Sequence, residues 1–188
     1  EWRLSGLLTP KQLDRLLHTS LETAKKVLER CFELGYEALP YGSAEYPRLL
    51  RQISRPPVVL YVKGDRTALC KPICIAMVGT RKATPYGMQM ARYFAGELAK
   101  YGVTVVSGGA LGIDTASHLG ALEAGGKTVA VLGCGINTRY LNENERLRAR
   151  IAGQGAVVSE FPPDTLALPS HFPMRNRIIS GLSRGVLV

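Results

Sequence analysis

From Val58 to its end the chain alternates short apolar runs with helical stretches, and that alternation restricts it to very few folds. Ile73–Val78 is continuously apolar, as a strand covered on both faces must be. Further strands are expected at Val58–Lys63, Val103–Ser107, Lys127–Leu132, Ala156–Ser159 and Gly185–Val188. Helices are expected between them. One is capped by Thr84-Pro85 and runs to Tyr101 with Ala91, Phe94, Ala95 and Leu98 inward; others cover Ile113–Ala124, Glu143–Ala152 and Met174–Leu182. Repeated strand–helix–strand units pair their strands in parallel through right-handed crossovers. The expected class is therefore α/β, a mostly parallel sheet with helices on both faces. The strand from Gly185 stops with the chain where a buried strand calls for a further crossover, so the domain reads as unfinished at Val188.

Ahead of this region, residues 1–40 read as a small helical module. Thr9-Pro10-Lys11-Gln12 and Thr19-Ser20-Leu21-Glu22 both have the form of a capping box, in which side chains cover the free N–H groups of a helix start. The second opens a helix whose Leu21, Ala24, Val27, Leu28, Cys31 and Leu34 form an apolar stripe, with Gly35 placed to end it. Residues 41–57, with Tyr46-Pro47 and Pro56-Pro57, read as a linker packed on the next domain, which leaves 58–188 as the principal domain.

Charge narrows the class of partner. Residues 1–57 carry nine Lys/Arg against seven Asp/Glu, a net of +2, whereas residues 58–188 carry fifteen against eight, a net of +7. The positive excess sits on the α/β region, where it favours a polyanion. No run approaches the roughly 20 apolar residues that span a bilayer, and no membrane association is expected. Cys31, Cys70, Cys74 and Cys134 are scattered, without a second pair to complete a zinc tetrad. Reduced thiols, and hence a cytoplasmic protein, are the expectation.

In such a sheet ligands bind beyond the carboxyl ends of the strands. Three glycine-bearing turns fall there: Gly79-Thr80-Arg81-Lys82, Ser107-Gly108-Gly109 with the sequel to Asp114, and Gly133-Cys134-Gly135-Ile136-Asn137. Glycine lets backbone N–H groups approach a phosphate, and Arg81 offers it a forked pair of donors. Any one turn alone is better explained by a tight bend needing positive φ, but three at one edge, one with an Arg, point to a phosphate site. Which phosphate compound stays open at this point. The nucleoside-triphosphatase loop is absent, Thr138 stands where a dinucleotide fingerprint needs glycine, and so no cofactor is expected.

A third feature is Phe172-Pro173-Met174-Arg175-Asn176-Arg177, in an acid-free stretch from 171 to 188. Arg175 and Arg177 point to different helix faces, so one is free to hold a loop or a carboxylate while the other meets the ligand. Asn176 can bond bases or phosphates, and His171 or Phe172 can stack on a base. Asp114 is expected to cap its helix or brace the glycine loop rather than to catalyse. His118 follows it four residues on, along the same helical face, but without a nucleophile the pair makes no triad. Glu160 is placed to orient one of the arginines. Asn137, Tyr140 and Asn144 are expected to line the pocket.

Together these residues resemble the DNA-processing protein A (DprA, or Smf) family. The resemblance runs from Tyr46-Pro47 to the last strand and is most specific in Met77-Val78-Gly79-Thr80-Arg81, Val106-Ser107-Gly108-Gly109-Ala110-Leu111-Gly112-Ile113-Asp114 and Phe172–Ser183. It implies an extended Rossmann-like domain that binds single-stranded DNA without cutting it, as a homodimer that loads RecA recombinase during natural transformation. It places DNA contacts on Gly79, Thr80, Arg81, Lys82, Ser107, Gly108 and Gly109, with Arg175, Asn176 and Arg177 at or beside the pocket. The competing expectation is a nucleotide-binding or nucleoside-monophosphate-hydrolysing enzyme. That chemistry wants a carboxylate close to the glycine loop and typically a Pro-Gly-Gly-x-Gly-Thr turn, and the chain has no such turn.

Overall fold

The computed structural model describes residues 9–18 and 20–188, the side chains of residues 12, 15 and 16 excepted. Two helices come first, α1 (Pro10–Leu17) and α2 (Leu21–Glu33). Thr19 lies outside the described residues. The cap of α2 is Ser20, whose hydroxyl accepts the Glu22 N–H at 3.1 Å. Of the expected apolar stripe only Cys31 is buried, with Val27 and Leu34 half-covered, while Leu21 and Leu28 are 82% and 55% exposed. The sheet meets the second half of α2, where Val27 and Cys31 pack in one cluster with Tyr36 and Tyr61 and Arg30 pairs with Asp164. No helix among the described residues is long and apolar enough to cross a membrane.

Seven strands then form one sheet: β1 (Glu37–Pro40), β2 (Val59–Gly64), β3 (Cys74–Met77), β4 (Thr104–Ser107), β5 (Thr128–Leu132), β6 (Ala156–Ser159) and β7 (Gly185–Leu187). Their spatial order is β1-β2-β6-β5-β4-β3-β7. The four pairings from β6 to β7 are parallel, while β2 lies antiparallel to β6 and β1 antiparallel to β2. The fold is thus α/β, Rossmann-like and mostly parallel. Residues 37–40, expected at the end of a helical module, instead supply an edge strand. Pro40 is tolerated there because an edge position asks for fewer backbone bonds.

Helices α3 (Pro85–Lys100), α4 (Ile113–Glu123) and α5 (Glu145–Gln154) cover one face, and α6 (His171–Leu182) covers the other. The strands are sorted to match. Val106, Val129, Val131 and Val158 pack with Ile178, Ile179 and Leu50, whereas Val105 joins Met77, Ala95 and Ala121, and Leu132 and Val157 join Leu147 and Ile151. Phe94, expected inside, is 47% exposed, and α3 presents Ala91, Ala95 and Ala99 inward. The reason is the closeness of α3 and α4: a Cβ on Gly120 would collide with the Arg92 carbonyl. Only small residues fit that seam.

Chain direction across the sheet reverses beside β3. It passes through α3 to β4 on one side and receives β7, by way of α6, on the other. A crevice opens beyond the carboxyl ends at such a switch point.

Candidate functional site

That crevice is a cleft of about 600 Å³ between the turn after β3 and the first two turns of α6. Val78, Gly79 and Arg81 form one wall, Phe172, Asn176 and Arg177 the other, and Ala110 and Asp114 the floor. The Gly79 turn is held by α4. Ile113 N–H donates to the Thr80 carbonyl at 3.2 Å, and Gly112, at φ +78°, would drive a Cβ into that same oxygen. Thr80 folds the turn further by accepting the Lys82 N–H on its hydroxyl at 3.2 Å. Arg81 and Lys82 are exposed, and neither has a carboxylate partner among the described residues. The Arg81 guanidinium stands 5.5 Å from the centroid of Phe172, a cation–π contact that holds it at the cleft mouth without neutralising it.

The second glycine loop is built differently from the expectation. Ser107 is fully buried and its hydroxyl donates to the Met77 carbonyl at 2.6 Å. Gly108 N–H and Ala110 N–H both donate to Asp114 Oδ2 at 3.2 Å. Gly109, at φ +69°, is buried, and its carbonyl accepts from Asn144 Nδ2 at 3.1 Å. Two loop N–H groups that could cradle a phosphate are therefore occupied by an internal carboxylate. Burial raises the Asp114 carboxyl above its ordinary range, and the loop N–H groups and the Arg175 charge pull it back down.

Arg175 also turns inward. It is 5% exposed, and its Nη1 donates to the carbonyls of Gly108, at 2.7 Å, and Val131. Its guanidinium lies so close over Gly108 that a Cβ there would meet Nη1 at 2.5 Å. Burial lowers its pKa, with Asp114 opposing the shift. Arg177 binds the Glu160 carboxylate, as expected for one of the arginines, and its Nη1 is buried without a hydrogen-bond partner. Asn176 is exposed, accepts Arg175 Nε on Oδ1 at 3.2 Å, and leaves its amide N–H groups to the cleft.

Of the ten expected contact residues, the structure thus brings Gly79, Arg81, Arg175, Asn176 and Arg177 to one cleft, with Thr80 and Lys82 in the same turn. Ser107, Gly108 and Gly109 lie buried beneath it, in a loop braced by Asp114 and Asn144. The third glycine turn is closed off. Gly135 lies under the carbonyls of Pro162 and Pro163, and Gly133 lies under the Phe172 ring. Asn137 bonds Asp164, Tyr140 packs tilted against Phe172 with ring centroids 5.1 Å apart, and Asn144 is buried as a brace, so none of the three lines the cleft. His171 is stacked on Phe161 at 4.0 Å and is not presented to a base.

The sequence model of the DNA recombination-mediator protein A family matches residues 37–188, the whole of the sheet. The chain belongs to this family. The DNA processing protein DprA of Bacillus subtilis is 44% identical over 87% of the chain and 55% of its own length. The X-ray structure of DNA processing protein A from Streptococcus pneumoniae superposes with a TM-score of 0.82 at 36% identity, covering 93% of this chain and 59% of that one. That of Helicobacter pylori, a protein with a unique single-stranded DNA binding mode, superposes at 0.73 and 34% identity over 80% and 67%. The chain spans about half the length of the curated relatives it matches.

Two braces of the site are not conveyed by sequence pattern. Asn144 ties the Ser107–Asp114 loop through Gly109, Ala110 and Thr115 instead of lining the pocket. His118, whose spacing from Asp114 alone makes no triad, is a buried pillar of α4. Its place among the apolar residues of that helix is the one signal the sequence holds for this.

Proposed function

We propose that this chain binds single-stranded DNA in the cleft between the Gly79–Lys82 turn and α6, without catalysis, and that it does so in the cytoplasm as a homodimer that hands the strand to RecA recombinase. One observation carries the DNA-binding reading. Arg81, at the cleft mouth, has no internal anion among the described residues, whereas the cleft's other two guanidiniums are engaged by the Gly108 and Val131 carbonyls and by Glu160. A guanidinium steadied on an aromatic face suits a phosphate, and the aromatic face suits a base. The acid-free first turns of α6 add the partial positive charge of a helix start. The dimer and the recombinase hand-over rest on family membership alone.

A hydrolytic reading needs a carboxylate free to act on a glycosidic bond. Both carboxylates near the cleft are engaged, Asp114 by loop N–H groups and Glu160 by Arg177. Arg81→Ala is expected to weaken binding of an oligothymidylate at least tenfold while leaving the melting temperature unchanged, because the side chain is exposed and has no carboxylate partner. Near-parental affinity would remove this cleft from the reading. Incubation with nucleoside monophosphates is expected to release no free base, and turnover would restore the enzyme.

A further inference from the structure

A second basic cleft, of about 560 Å³, lies at the other end of α6. Its walls come from the Ala44–Gln52 segment, the Leu69–Pro72 approach to β3 and the exit of α6 at Leu182 and Arg184. Arg48, Lys71 and Arg184 line it, all three exposed, and none forms an ion pair among the described residues. No Asp or Glu lines it. The adjacent acid, Glu45, has its carboxylate on Arg66. Arg184 is steadied by its Nε, which donates to the Pro72 carbonyl at 2.9 Å and leaves the outer nitrogens of the fork facing outward. Three unneutralised cations in one depression repel each other, and an anion relieves that repulsion.

The two clefts are joined by one stripe of surface. Pro173, Asn176 and Ser180 recur at helical spacing on α6 and are exposed, and Arg184, also exposed, follows in the extended exit of the helix. No acid occurs in α6, or anywhere from 171 to 188. The first cleft is lined along α6 as far as Ser180 and the second begins at Leu182, so the two lie end to end along the helix. We infer that the Arg48–Lys71–Arg184 cleft is a second phosphodiester subsite, so that one DNA strand runs from the Arg81 cleft along the outer stripe of α6. This rests on the reading of the first cleft as a DNA site. Apolar walls such as Pro47, Leu49 and Pro72 beside cations fit a single strand, which offers base faces as well as phosphates. An acidic protein segment would find the cations but no comparable reason for the acid-free path.

The test compares a short oligothymidylate, sized to one cleft, with one several times longer, on the full chain. Lys71→Gln with Arg48→Gln removes two exposed cations without touching an ion pair. The long strand is expected to bind several-fold more weakly, with its log–log salt slope shallower by about 0.7 for each phosphate the protein no longer neutralises. Short-strand affinity is expected to stay at the parental value. Unchanged affinity and slope for the long strand would overturn the inference, as would weaker binding of a polyglutamate probe with DNA binding intact. Arg81→Ala separates the two readings. If it spares both strands while the double variant weakens the long one, the first cleft fails and the second remains. Arg184→Lys, keeping the charge, is expected to retain most long-strand binding.

Discussion

Arg175 satisfies the carbonyls of Gly108 and Val131 at the carboxyl edge of the sheet, where strand pairing has ended. Arg81, across the same cleft, keeps its guanidinium outward over Phe172. Arg175→Met would keep most of the volume and leave both oxygens bare in a buried setting. The expected cost is about 3 kcal/mol, since each buried orphan is worth about 1–3 kcal/mol. Urea unfolding reads it directly, and a loss below about 1 kcal/mol would contradict the bracing role. DNA affinity in this variant is expected to fall by less than in Arg81→Ala at temperatures where the fold persists. Helical spacing is enough to separate Arg175 from Arg177 onto different faces. It cannot say which side holds unpaired carbonyls, because that depends on β4 and β5, distant in sequence.

Among the elements, α4 is the one whose polar content is most at odds with its burial. His118 is fully buried, with Nδ1 2.7 Å from the Thr128 hydroxyl, which itself donates to the Val105 carbonyl at 2.8 Å. The ring is therefore neutral with its proton on Nδ1, and Nε2 has no hydrogen-bond partner. Burial, aided by the Arg175 charge, takes its pKa from 6.5 down to about 3. The folded form then binds fewer protons than the unfolded one between those values. Its contribution to stability is complete above pH 6.5 and is lost as pH falls toward 3, at up to about 1.4 kcal/mol per pH unit. His118→Gln is expected to flatten the urea midpoint against pH between about 6.5 and about 4; a parental slope would refute the assignment. The elements themselves are legible wherever an apolar run is continuous, as at β3, β5 and β6. β1 is not, because Glu37-Ala38-Leu39-Pro40 is short, carries a proline and owes its strand to β2 alone. The α2 stripe misleads for a related reason: periodicity shows that a helix can bury a face, not that a neighbour is there to cover it.

For the molecule as a whole, charge is organised by depth as much as by sum. The net +9 includes cations that end in ion pairs at the periphery, such as Arg66 with Glu37 and Glu45, and Lys127 with Asp65. At each end of α6, by contrast, stand cations without an ion pair among the described residues: Arg81 and Lys82 at one, Arg48, Lys71 and Arg184 at the other. The Asp114 carboxylate beneath the first of these ends has a kinetic consequence. Two N–H groups of the Ser107–Asp114 loop already have their anion, so the loop is braced from within, and on the proposed reading it needs no closure before a strand binds. Capture then waits on diffusion and orientation, not on a loop that must first close. Stopped-flow association is accordingly expected to be single-phase, linear in DNA concentration and steeply slowed by salt, as for electrostatically steered encounters. A rate that levels off at high DNA concentration would reveal a rearrangement the loop has no need to make.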